Sequence, residues 1–119
     1  MYTKTVILSE AIEAHGKKYS SLELRKPNGG DMMECGSPLV TWQDGYGTLH
    51  QKPDYAAIGK YLAWLASIPP SSVKNLDPAD MNAAGKEVID FFQEAEAARA
   101  KKILELNPPK VPGENQTAD

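Results

Sequence analysis

Cysteine is almost absent from this chain of 119 residues, where Cys35 stands alone. No internal disulfide can form, which fits a reducing compartment such as the cytosol. Histidine is scarce as well, with only His15 and His50. Metal centres need clustered His, Cys and carboxylate ligands at fixed spacing. One thiol and two distant imidazoles supply no such cluster, so no metal or other cofactor is expected. An excess of positive charge is also missing. The formal net charge is −3, which argues against a domain that grips nucleic-acid phosphates and against a basic helix adsorbed on a membrane. No apolar run approaches the ~18 residues needed to span a bilayer. The N-terminal MYTKTVILSE lacks a long apolar stretch with a small-residue cleavage site, so no signal peptide is expected. There is no internal repeat.

What is present suits a soluble globular fold. The length suggests one domain, placed here at residues 1–106. Hydrophobic residues make up 41% and charged residues 24%, ordinary values for a chain that builds one modest core. Residues 3–8, TKTVIL, put Val6 and Leu8 on one face with Lys4. Residues 18–25, KYSSLELR, put Leu22 and Leu24 on one face and Glu23 and Arg25 on the other. Both alternations predict strands. His15-Gly16 between them favours a tight turn, so residues 3–25 read as a β-hairpin or small meander. Two strands alone are marginal in water and must pack on something.

In KPNGGDMMECGSP, Pro27 favours an extended residue before it. Asp31 is the expected N-cap of a short helix over 31–35, with Glu34 as capping-box partner. A phosphate cradle is the other reading of Gly29-Gly30. The surrounding residues match neither the Walker nor the dinucleotide pattern. Asp31 would also repel an anion at that helix terminus. The glycines are therefore expected to bend the chain out of the sheet. Residues 37–53, SPLVTWQDGYGTLHQKP, allow two readings: a short hairpin turning at QDGYG, or a loop pinned by Trp42.

Residues 54–68, DYAAIGKYLAWLASI, predict a helix capped by Asp54, with Ile58, Tyr61, Leu62 and Leu65 at the i, i+3, i+4, i+7 spacing of one apolar face. Pro69-Pro70 ends it, and a single turn anchored by Val73 and Leu76 follows. Residues 77–106 predict a second helix with Asp77 as N-cap and Pro78 at the first position. Met81, Ala84, Val88, Phe91, Phe92 and Ala95 keep helical spacing. Early acids and the later Arg99, Lys101 and Lys102 suit the helix dipole. The residues after 106 are expected to be a disordered tail. The fold expected is α+β, mainly α: the N-terminal hairpin or meander, two main amphipathic helices and the tail.

A catalytic reading has little to stand on. His15 lies in a turn, and nothing in the sequence brings Cys35 near His50. A nucleophile requires a positioned base and an orienting group, and a free cysteine is commonly a small buried hydrophobe. Asp77 and Asp80 are explained by a helix start.

Taken in order, these landmarks resemble the tail assembly chaperone family of Mu-like and related contractile-tailed bacteriophages and prophages. The resemblance rests on Leu24, Arg25, Pro27, Gly29, Gly30 and Asp31 after a β segment. It continues through LAWLASIPPSSVKNLDPADM and VIDFF, with Leu62, Leu65, Pro69, Pro70, Val73, Leu76, Asp80, Phe91 and Phe92. It covers roughly residues 5–93. Residues 37–53 are longer and more aromatic than the pattern leads one to expect, and the stretch beyond 95 lies outside it. The resemblance implies a non-enzymatic protein of the bacterial host cytoplasm, absent from the mature virion. It would bind the tape measure protein, keeping that long helical chain soluble until tail tube subunits polymerise around it. The tail tube protein is a second partner that it allows. A longer, frameshifted form occurs in such families.

The residues suit that task. A chaperone must offer apolar surface yet remain soluble. Tyr55, Tyr61, Trp64, Leu65, Val88, Phe91 and Phe92 are the candidate partner-binding residues, each also open to the reading of ordinary core. Trp64 lies round the helix from the Ile58–Leu65 face and is either a second buried face or an exposed anchor. Weak binding of many copies along one client would give avidity, so self-association, or crowding on the client, is expected. The rival readings are a small structural or adaptor protein retained in the tail and, more remotely, an enzyme built around Cys35 and His50.

Overall fold

The computed structural model describes residues 2–106. The first two strands, β1 (Thr3–Ala14) and β2 (Lys17–Arg25), form an antiparallel hairpin. It turns at His15 and Gly16, which both take positive φ (54° and 75°), as a two-residue hairpin turn requires. β1 runs on past the 3–8 stretch read from the sequence. Ile7 faces Ser21 and Ile12 faces Tyr19, so β1 carries extra residues between these points and bulges there. Val6, Leu8, Ile12 and Ala14 from β1 and Leu22 and Leu24 from β2 all point inward.

Two helices cover that face. Helix α2 (Tyr55–Ala66) follows a short α1 (Gly29–Cys35) and a second hairpin, β3 (Leu39–Gln43) and β4 (Leu49–Pro53). After a single-turn α3 (Pro70–Val73) comes the long α4 (Pro78–Leu106). Asp54 caps α2 as expected, accepting from the N–H groups of Ala56 and Ala57. Ile58, Tyr61, Leu62 and Leu65 are buried against β2 and α4. From α4, Ala84, Val88 and Phe91 join the core, with Met81 and Phe92 packed at its margin and Ala95 exposed. Helices α2 and α4 pack tightly at Gly85, where a Cβ would stand 3.3 Å from Ile58 Cδ1.

The architecture is α+β, with about half of the described residues helical and, among them, two small two-stranded sheets. Of the two readings of residues 37–53, the hairpin is the one observed, turning over residues 44–48. The start of α1 corrects the expectation for the glycine pair. Its N-cap is Asn28, not Asp31, and Gly29 and Gly30 form its first turn instead of a bend ahead of it. Asparagine wins because its side-chain oxygen accepts from the N–H of Asp31 at 3.0 Å while the Asp31 carboxylate accepts from the N–H of Asn28 at 2.8 Å. That reciprocal pair satisfies two otherwise free donors. The last turn of α4 holds no basic residue; Lys101 and Lys102 stand one turn earlier. The expected tail, residues 107–119, lies outside the described residues.

Candidate partner-binding surface

Several polar residues of the sequence serve to lock the body together. Arg25, at the end of β2, donates two bonds of 2.8 Å to the two carboxylate oxygens of Asp31. This fork ties β2 to α1, and Asp31 is buried. The Arg25 guanidinium holds the Asp31 carboxyl below the usual carboxylate range, with help from the Asn28 N–H and against the cost of burial. Arginine suits the position because its planar fork matches a carboxylate. Leu24 beside it is fully buried and Pro27 half-buried. The Leu24–Asp31 motif is thus a clasp between strand and helix.

Asp80 has a role beyond the start of α4. Asp77 accepts from the N–H of Ala79 at 3.0 Å and caps that helix. Asp80 instead reaches into the β1 bulge. Its carboxylate accepts from the N–H of Ser9 at 2.9 and 3.0 Å, from the Ser9 hydroxyl at 3.0 Å and from the N–H of Glu10 at 3.1 Å. A bulge leaves backbone groups without ladder partners, and here one buried carboxylate takes them. The Ser9 N–H, with help from the Glu10 N–H and the Ser9 hydroxyl and against the cost of desolvation, holds the Asp80 carboxyl below the ordinary carboxylate range. The sequence signal for this role was absent, because spacing from Asp77 accounts for an acid at that position equally well.

Further stitches complete the frame. Ser72 donates to the carbonyl of Glu13 at 2.7 Å, and the Tyr61 hydroxyl donates to the carbonyl of Gly36. Burial pushes the Tyr61 phenol up to about 12. Lys4 pairs with Glu94 at 2.8 Å. Cys35 is buried in the core, where burial pushes its thiol up. His50 lies on β4, paired with Asp44 at 2.7 Å and stacked on Trp42.

The candidate partner-binding residues divide cleanly by position. Tyr61, Leu65, Val88 and Phe91 lie in the core. Phe92 is half-buried and meets Tyr61 edge-on at 5.3 Å. Tyr55 and Trp64 reach solvent, with Trp64 half exposed. Of the two readings open to Trp64, a second buried face is excluded, since the ring is half exposed. It stands between two clefts. One, of about 350 Å³, is floored by Gly59 and Ala63 and walled by Tyr55, Val73 and Met81. The other, of about 460 Å³, is bounded by His15, Ile68, Pro69 and Pro70. Helix α2 ends ahead of the proline pair, at Ser67, whose left-handed backbone (φ 57°) caps it; Pro69 and Pro70 instead start α3 and shape the surface beside Trp64. Lys60 and Lys74 border the first cleft. Among the described residues, no helix is long and apolar enough to cross a membrane.

A β-hairpin covered on one face by two helices, with an aromatic patch left open on α2, defines a small α+β protein equipped for apolar contacts. The family model described as "Phage tail assembly chaperone proteins, E, or 41 or 14" matches residues 5–93. The chain belongs to that family, and the match agrees with the resemblance drawn from the Leu24–Asp31 motif and the segments that follow. No curated protein and no solved structure matches the chain.

Proposed function

We propose that this chain binds the tape measure protein and keeps it soluble during tail assembly, without enzymatic chemistry. The observation that carries the reading is the open patch on α2. Tyr55 and Trp64 remain in solvent while the rest of the apolar stripe is buried, and large exposed aromatics beside apolar clefts are a common form of protein contact surface. Membership of the tail assembly chaperone family supplies the setting. Trp64 and Tyr55 contact apolar stretches of the helical client, and the net acidity of the chain keeps the free protein soluble. The protein acts in the cytoplasm of the bacterial host and leaves before the virion matures.

Co-expression with the tape measure protein of the same phage or prophage tests this. Co-elution of the two is expected, together with absence of this chain from purified particles by peptide mass analysis. Failure to co-elute removes the basis of the reading. Stoichiometric presence in particles replaces it with a retained tail component.

A further inference from the structure

The cleft of about 350 Å³ beside Trp64 runs along α2, where Ala56, Gly59 and Ala63 line it. These three fall at the i, i+3, i+7 spacing of one helix face. Short side chains at all three leave a trough about 10 Å long, at 1.5 Å per residue. Val73 and Met81 wall it from α3 and α4, with atoms 3.9 Å from where a Gly59 Cβ would stand. The volume lies within the ~300–1,000 Å³ of ordinary ligand pockets.

Trp64 is the uncommitted tryptophan. Trp42 already stacks on His50 at 5.1 Å, with Lys52 Nζ 5.7 Å from its ring. Among the described residues no ring or cation covers Trp64 in that way.

Charge at the trough is one-sided. The chain is acidic as a whole, with a net charge of −3. Yet among the described residues the charged groups that line the trough are Lys60 on α2 and Lys74 just after α3. Both are exposed, and among the described residues neither pairs with a carboxylate. Lys4 and Arg25, by contrast, are held in ion pairs that join elements of the fold.

The shape favours a helical occupant. The trough offers apolar side chains and the backbone of α2, whose N–H and carbonyl groups bond within that helix. An extended peptide would bring its own backbone groups there without partners. A helix satisfies its backbone internally and can lay an apolar row into such a trough.

We infer that the trough takes one helical segment of a partner protein, here the client, whose row of apolar side chains is flanked by glutamate or aspartate. The apolar row fills the trough against Trp64, and the carboxylates meet Lys60 and Lys74 at its rim. The acidic surface elsewhere repels such a segment, so the two lysines also select where it docks. Exposed ion pairs are worth little each, and the lysines set specificity more than affinity. The inference deepens, and rests on, the reading of the chain as a client-binding chaperone.

Fluorescence anisotropy of labelled synthetic helices with the full chain tests it, at physiological ionic strength. Two helical peptides of about 20 residues share one leucine row and carry either glutamate or glutamine beside it. Wild type is expected to bind the glutamate peptide at least ~5-fold more tightly. Lys60→Gln/Lys74→Gln, checked by circular dichroism, is expected to bind both peptides as wild type binds the glutamine one. Trp64→Ala is expected to weaken both alike. A wild type that binds neither peptide or both equally overturns the inference, as does a preference that survives in the double variant. Undiminished co-elution of the tape measure protein with Lys60→Gln/Lys74→Gln also overturns it, and leaves the client-binding reading in place. A wild type that selects the glutamate peptide without co-eluting with the tape measure protein does the reverse: that reading falls and the preference of the trough stands.

Discussion

Asp80 on α4 holds Ser9 on β1 through three hydrogen bonds of 2.9–3.0 Å, two to its backbone N–H and one to its hydroxyl. The contact joins the first turn of the last helix to an irregularity in the first strand. It gives the bulge a partner and sets how α4 lies against the hairpin. Asp80→Asn keeps the size but replaces one acceptor oxygen by a donor facing N–H groups. It is expected to lower the melting temperature well beyond the effect of Asp77→Asn, since asparagine at that position still caps the helix. Thermal unfolding followed by circular dichroism makes the comparison.

Acid should weaken the fold through the same residue and through Asp31. Both carboxyls titrate below their ordinary value in the folded chain, Asp31 mainly because of Arg25 and Asp80 mainly because of the Ser9 N–H. The unfolded chain therefore binds protons more readily than the folded one. The stability these groups contribute is complete above roughly pH 5 and is lost as pH falls below about 4 through the folded values. Denaturant midpoints measured across that range should drop for wild type. The drop should be shallower in Asp31→Asn, whose midpoint is already reduced at neutral pH.

Gly85 marks the contact between α2 and α4. The nearest atoms to an added Cβ are Ile58 Cδ1 and Cγ2, at 3.3 and 3.4 Å, and Ile58 is fully buried. A large side chain must push the helices apart. Gly85→Leu is expected to cost about 1–3 kcal/mol by overpacking, despite the better helix propensity of leucine. Urea denaturation reads the loss directly, and a variant as stable as wild type would show that the crossing is looser than described.

Much of the body was legible because its pattern is repetitive. The alternation of Val6, Leu8, Leu22 and Leu24 and the helical spacing of Ile58, Tyr61, Leu62 and Leu65 each follow from burying one face. His15-Gly16 marked the turn for the same local reason. The interactions that join elements left weaker traces. Asp80 reads as a helix start until the β1 bulge appears beside it. Asn28 and Asp31 both fit a cap, and only the reciprocal bonding decides between them. Which aromatics stay in solvent was also hidden, because Tyr61 and Trp64 sit on one helix and only the packing of α2 on β2 and α4 separates them. In the second hairpin Trp42 faces a histidine and a lysine, with no core to impose an apolar alternation.

The patch on α2 is the part of the account on which function rests. Trp64 is half exposed, whereas Tyr55 also donates to Asn82 Oδ1 on α4 at 2.6 Å, so replacing both by alanine is expected to cost about 1–2 kcal/mol of stability, and circular dichroism checks that the double variant folds. The decisive measurement is the soluble fraction of the tape measure protein when co-expressed with wild type or with Tyr55→Ala/Trp64→Ala at equal levels. Wild type is expected to hold the client in the supernatant, and the folded double variant to leave most of it in the pellet. Equal solubility with both, or a client that is soluble with neither, would contradict the account.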